Sequence, residues 1–209
     1  MEENVFMSMY RKFVDVTARK PSGWLGKKMY SNPRGHYKAF HKILEKLNLQ
    51  SDDHYLELAC GGGRLLEMAL KTVESAAAID HSPDMICVAS EQNRDAIAAG
   101  RLDILEGDVG SLPWRDSTFS CAACAEAFFF FPDPSKVLSE ILRVLEPGGR
   151  VAIATPVMNS LVKVACAPWV SQMRLYSDGE MLSMMKNAGF GKYEVKSGRD
   201  MNQLTYGIK

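Results

Sequence analysis

The sequence predicts an α/β fold: a doubly wound sheet of about seven strands, mostly parallel with an antiparallel last strand, preceded by N-terminal helices. Three observations carry this. From residue 54 onward, short apolar stretches alternate with helical ones, as parallel strands joined by crossover helices require. Stretches such as "SAAAID" (75–80) and "RVAIATP" (150–156) are apolar on both alternating faces, which marks strands covered on both sides. The turn after the first strand is bare backbone, Gly61-Gly62-Gly63.

The elements follow in order. "HYKAFHKILEKLNL" (36–49) spaces Tyr37, Phe40, Leu44 and Leu47 by three, four and three, one apolar helical face. "HYLELAC" (54–60) is a strand and "GRLLEMALKTV" (63–73) a helix; "SAAAID" is the second strand. One helix is expected over 82–99, with Ser82 as N-cap, Pro83 at its first position and Gly100 as its stop. "LDILEGD" (102–108) and "FSCAACAE" (119–126) are the third and fourth strands. The helix in "DPSKVLSEILRVLEPGG" has Pro134 in its first turn and is expected to end at Pro147-Gly148-Gly149, before "RVAIATP" as the fifth strand. "SDGEMLSMMKNAGF" (177–190) has a capping-box spacing from Ser177 to Glu180 and a Gly189 stop. "KYEVKSG" and "LTYGIK" are closing strands. The division expected is an N-terminal helical cover over 1–50 and a ligand-binding domain over 51–209.

Composition narrows the function classes. With 25 basic and 25 acidic residues in 209, there is no electrostatic case for nucleic acid or an anionic membrane as partner. No apolar run approaches the ~20 residues of a membrane span. The first residues have no signal-peptide core, and the cysteines read as buried thiols of a reducing compartment, so a cytoplasmic location is expected. Cys121 and Cys124 fall on opposite faces of one strand without a second ligand pair, so no metal is expected.

In a fold of this kind ligands sit beyond the carboxyl ends of the strands. The turns there narrow the ligand. Glycines admit positive φ and close approach, and the next helix points its amides at the loop, which suits a nucleotide-like group. A dinucleotide fingerprint fails because its third glycine position is Leu66, and the Lys-Ser/Thr of a phosphate loop is missing. What remains is acidic-x-small-x-Gly-x-Gly: Glu57, Ala59, Gly61, Gly63. A carboxylate there suits a cationic group rather than a pyrophosphate.

"LELACGGGR", "AAAIDHSPDM", "LEGDVGSLPW", "FSCAACAEAFFFFPDP", "EILRVLEPGGRVAIATP" and "MLSMMKNAGF", in that order, resemble the class I S-adenosylmethionine (SAM)-dependent methyltransferases with a Rossmann-like sheet. The resemblance covers residues 54 to about 190 and is nearest the small-molecule branch that includes ubiquinone/menaquinone C-methyltransferases. It implies SAM as cofactor and transfer of its methyl to a small, partly apolar acceptor. It also implies roles. Glu57 organises the glycine loop near the methionine part, and Ala59, Gly61 and Gly63 lie under that part. Asp80, followed by His81, takes the ribose hydroxyls. Met85 packs on adenine, Asp108 takes the adenine amino group, and the Val109 N–H meets a ring nitrogen. The Ala125 carbonyl meets the methionine amine. Ala59 departs from the usual glycine, which is harmless if its φ is negative.

On the acceptor side the candidates are Glu126, as base or anchor, and His36 or Tyr37 from the N-terminal segment. One or two of Phe128 to Phe131 are expected in an apolar wall, with Trp169 and Tyr176 as part of a cover or as packing. The acceptor and its methylated atom are open. A SAM-binding regulator or pseudoenzyme is the alternative; a nicotinamide oxidoreductase is disfavoured by the missing glycine.

Overall fold

The computed structural model describes Gly23 and residues 33–157, 173–198 and 201–209. Trp169 and most of residues 1–32 lie outside the described residues. A seven-stranded sheet runs in the order β3-β2-β1-β4-β5-β7-β6. Its strands are β1 (His54–Leu58), β2 (Ser75–Asp80), β3 (Leu102–Glu106), β4 (Phe119–Ala125), β5 (Leu145–Pro156), β6 (Lys192–Ser197) and β7 (Asn202–Ile208). β7 pairs antiparallel with both β5 and β6, and the pairings among β1 to β5 are parallel, as expected. Strand order reverses at β1, between β2 and β4, which opens a crevice there.

Alternation along the strands sorts side chains into two cores. Tyr55, Ala76, Ala78, Cys121, Ala123, Ala152 and Ala154 face α1 (Tyr37–Leu47) and α2 (Arg64–Ala69). These side chains are mostly small, which lets both helices sit close to the sheet. Leu56, Leu58, Ile79, Cys124, Val151 and Ile153 face α5 (Pro134–Val144) and α6 (Asp178–Ala188). The two strand cysteines therefore lie on opposite faces, as the spacing requires.

The helix ends follow from local chemistry. α3 (Pro83–Gln92) starts at Ser82, whose hydroxyl accepts the Met85 N–H. α6 has the full capping box between Ser177 and Glu180, and stops at Gly189 with φ 99°. Three expectations shift. α1 buries Phe40 and Leu47 of the expected face together with Ala39 and Ile43, which leaves Tyr37 and Leu44 only partly buried at its margin. That face joins the same core as Tyr55 and Leu65. The Arg150 guanidinium reinforces this by bonding the Leu47 carbonyl at the end of α1 and the buried Asp53 carboxylate. The helix expected over 82–99 is two, α3 and α4 (Arg94–Ala98), because Asn93 turns inward and donates to the carbonyls of Gly63 and Ala89. α5 ends at Val144: Leu145 is already extended and pairs with Phe119, and the register then shifts across the Pro-Gly-Gly turn.

Candidate cofactor and acceptor site

The cavity over the carboxyl ends of β1 to β4 measures about 730 Å³, within the range of small-molecule sites. The first strand ends in Glu57 and Leu58, and the loop after it turns on three positive-φ residues, Ala59 (52°), Gly61 (51°) and Gly63 (75°). Asp80, at the end of the adjacent β2, fixes the loop: its carboxylate accepts the Gly61 N–H at 2.8 Å and the Ser82 N–H at 2.9 Å. Asp80 is 4% exposed, yet it lines the cavity. After β3, the Asp108 carboxylate accepts the Gly110 N–H at 2.9 Å, an Asx-type turn that holds Val109 at the wall.

Glu57 is buried on the α1/α2 face, where its carboxyl accepts a 3.2 Å hydrogen bond from the Tyr55 hydroxyl. Burial pushes its pKa up to about 8; the Tyr55 hydrogen bond opposes this and the Asp80 charge adds to it. Glu57 is thus largely neutral at pH 7 until a cation approaches. Glu126 follows β4 with φ 56°, and its Oε1 is buried with no hydrogen-bond partner among the described residues. Burial raises its pKa to about 7.

Glu57, Ala59, Gly61, Asp80, His81, Asp108, Val109, Ala125, Glu126 and His36 all line this one cavity. His81 is half-exposed there, its Nδ1 3.7 Å from Asp80. His36 is partly buried, which lowers its pKa. Phe130 and Phe131 are wall residues, while Phe128 and Phe129 are core. Tyr176 is buried against Phe128, ring centres 5.7 Å apart, and so is a packing residue.

Four residues depart from their expected places. Met85 is fully buried and does not reach the cavity: it is the third residue of α3, inside the turn capped by Ser82. Gly63 faces away from the cavity, toward α3. A Cβ there would lie 2.7 Å from Asn93 Nδ2 and 2.9 Å from Ala89 Cβ, so this glycine serves packing rather than ligand approach. Tyr37 stands behind the wall, accepting a 2.6 Å hydrogen bond from Arg64 Nε. Ala59 occupies the left-handed region instead of the negative φ that would make it harmless. Ala59→Gly should therefore raise stability by about 1 kcal/mol, since a side chain at positive φ costs roughly 1–2 kcal/mol and glycine gives back part of that as unfolded-state entropy. Denaturant unfolding of the two proteins checks this.

Residues outside the expected set also reach the cavity: Gly62, Arg64, Phe40 and Lys136. Arg64 was legible in principle, as the first residue after the glycine run. Phe40 and Lys136 come from α1 and α5, and no spacing connects those helices to the loop. Among the described residues no three His, Cys, Asp or Glu side chains come together as a metal site.

The family described as "Methyltransferase domain" matches residues 56–153, the segment from β1 to β5 that builds this site. That segment, a little under half of the chain, is similar to a class I methyltransferase domain. Demethylmenaquinone methyltransferase of Lactobacillus johnsonii is 29% identical over 140 residues, 65% of this chain and 56% of that protein. The enzyme of the same name from Oceanobacillus iheyensis is 24% identical over 190 residues, 77% of this chain and 79% of that one. The chain thus spans little more than half the length of the first relative. Phosphoethanolamine N-methyltransferase 2 of Haemonchus contortus, solved with S-adenosyl-L-methionine, shares the fold with a TM-score of 0.76 at 17% identity, over 96% of this chain and 60% of that one. SAM is the cofactor of this class. The cavity fits it chemically: carboxylates for an ammonium, two hydroxyls and an amine, with no phosphate-binding Lys-Ser/Thr.

No helix among the described residues is long and apolar enough to cross a membrane.

Proposed function

We propose that this chain transfers the methyl group of SAM to a small, partly apolar acceptor. The observation that carries the reading is one cavity holding Glu57, Asp80 and Asp108 at the ends of successive strands, with Phe130 and Phe131 in its wall. In this reading Asp80 and Asp108 accept from the ribose hydroxyls and the adenine amino group, and the Val109 N–H meets a ring nitrogen. Glu57 faces the methionine ammonium, with the Ala125 carbonyl beside it. Ala59, Gly61 and Gly62 form the floor under the methionine part, and His81 flanks the ribose.

When bound, SAM supplies an activated methyl on a sulfonium. The chain's task is to hold the acceptor in line at about 3–3.5 Å and to exclude water. The apolar wall serves both. The curated relatives are named for demethylmenaquinone, so a demethylated quinol is the first acceptor to try. Incubation with methyl-labelled SAM across quinols, phenols, amines and thiols tests the reading. Label should appear in an apolar acceptor. Binding of SAM and S-adenosylhomocysteine without transfer to any of them would support a SAM-binding regulator instead.

Glu57 gives this reading a proton signature. A cation beside it favours the ionised carboxylate, so binding lowers its pKa from about 8 and a proton leaves. Near pH 7 calorimetry in buffers of different ionisation enthalpy should register close to one proton released per SAM bound. Affinity should weaken as the pH falls below about 8, where the protonated form must be ionised at increasing cost. Glu57→Gln should abolish the release; a release unchanged in that variant assigns the proton elsewhere.

A further inference from the structure

We propose that Glu126 is the proton acceptor of the transfer, and that the acceptor molecule is a neutral apolar compound presenting an O–H group, a phenol or quinol. This rests on the methyltransferase reading and names its substrate class.

Two independent features single out Glu126. Its backbone sits at φ 56°, a conformation disfavoured for any residue with a side chain and found where a site constrains the chain. Its carboxyl Oε1 is buried without a hydrogen-bond partner among the described residues, which costs stability unless a ligand supplies a donor. The sheet register puts it beside the glycine loop. Leu58 pairs with Cys124, and the residues that follow each, Ala59-Cys60 and Ala125-Glu126, all line the cavity. The Glu126 N–H bonds the Ala154 carbonyl of β5, which anchors the strained residue. Phe130 and Phe131, in the loop that follows, supply the apolar wall.

These surroundings select the acceptor's charge. A sulfonium already brings one positive charge to the site, and a cationic acceptor in line with it would be repelled in a poorly screened pocket. A neutral O–H acceptor avoids this and donates to the orphaned carboxylate. The step balances. An oxygen lone pair forms the new O–CH₃ bond, the S–CH₃ bond breaks with its electron pair left on sulfur, and the O–H proton passes to Glu126. Sulfonium and carboxylate are both neutralised. With its pKa raised to about 7, Glu126 is ionised often enough to act and basic enough to take the proton.

The test uses the full chain with 2-naphthol and its methyl ether, 2-methoxynaphthalene. Loaded with S-adenosylhomocysteine, the wild type should bind 2-naphthol about tenfold more tightly than the ether, the scale of one hydrogen bond to a charged group. Glu126→Leu should erase that preference while S-adenosylhomocysteine binding, which also reports folding, stays within about threefold. With SAM, Glu126→Gln should slow methyl transfer to 2-naphthol by about 10²–10⁴-fold. Equal affinities for the two probes in the wild type, or a preference that survives Glu126→Leu, overturns the proposal. So does transfer equal in wild type and Glu126→Gln, none in either included. Failure of the wild type to bind S-adenosylhomocysteine would instead sink the methyltransferase reading itself.

Discussion

The Gly63→Ala variant should lose about 2–4 kcal/mol of stability, the largest effect expected from a single methyl in this chain. Two costs combine. Gly63 holds φ 75°, where a side chain costs roughly 1–2 kcal/mol. The new Cβ would also sit 2.7 Å from Asn93 Nδ2, 2.9 Å from Ala89 Cβ and 3.0 Å from Ala89 Cα. Overpacking of this kind costs about 1–3 kcal/mol. Relief by movement of Asn93 is expensive, since its side-chain amide holds the Gly63 and Ala89 carbonyls and shapes the break between α3 and α4. Chemical denaturation measures the loss. The same methyl should loosen the glycine loop and weaken cofactor binding, although Gly63 touches no part of the cavity. A Gly63→Ala protein as stable as the wild type would mean that α2 and α3 are not packed as described.

Asp80→Ala should weaken SAM binding by about 1.5–3 kcal/mol, roughly ten- to more than a hundredfold, the scale of hydrogen bonds to a charged group. Asp80 acts twice. Its carboxylate holds Gly61 and Ser82, and so fixes both the floor of the cavity and the entry to α3. In the proposed complex it also accepts from the ribose. Asp80→Asn keeps one amide acceptor and should retain more of the loop than of the affinity. Parallel measurement of unfolding and of SAM affinity separates the two parts. Affinity unchanged in Asp80→Ala would remove the ribose assignment.

Much of the fold was legible because it depends on local, repeated signals. "SAAAID" bounded β2 at Ser75 and Asp80, and Ser177, Glu180 and Gly189 marked both ends of α6. The misreadings share a cause: a tertiary contact overrode a local preference. Asn93 broke a continuous helical pattern by turning its side-chain amide inward, where it donates to the Gly63 and Ala89 carbonyls. Ala59 took a positive φ because its loop turns there, whatever side chain it carries. Gly63 read as a ligand-facing glycine because sequence shows that a Cβ is unwelcome without showing what it would strike. Met85 lies at the right distance along the chain for adenine, but nothing in its spacing reveals which way the side chain points.

The cavity was legible where it is built from consecutive residues at strand ends, as with Glu57, Asp80, Asp108 and Ala125. It was illegible where helices contribute from outside, as Phe40 and Lys136 do. Glu126 lies between these cases. Its position after β4 marked it as a candidate, but the unpartnered oxygen and the strained backbone that distinguish it from a solvated glutamate exist only in three dimensions.

Titration calorimetry of the wild-type chain with SAM, S-adenosylhomocysteine and NADH tests the central claim most directly. SAM and S-adenosylhomocysteine should each bind at one site per chain, with nearly one proton released near pH 7, and NADH should give no saturable heat. Tight binding of NADH with no binding of SAM would contradict the account.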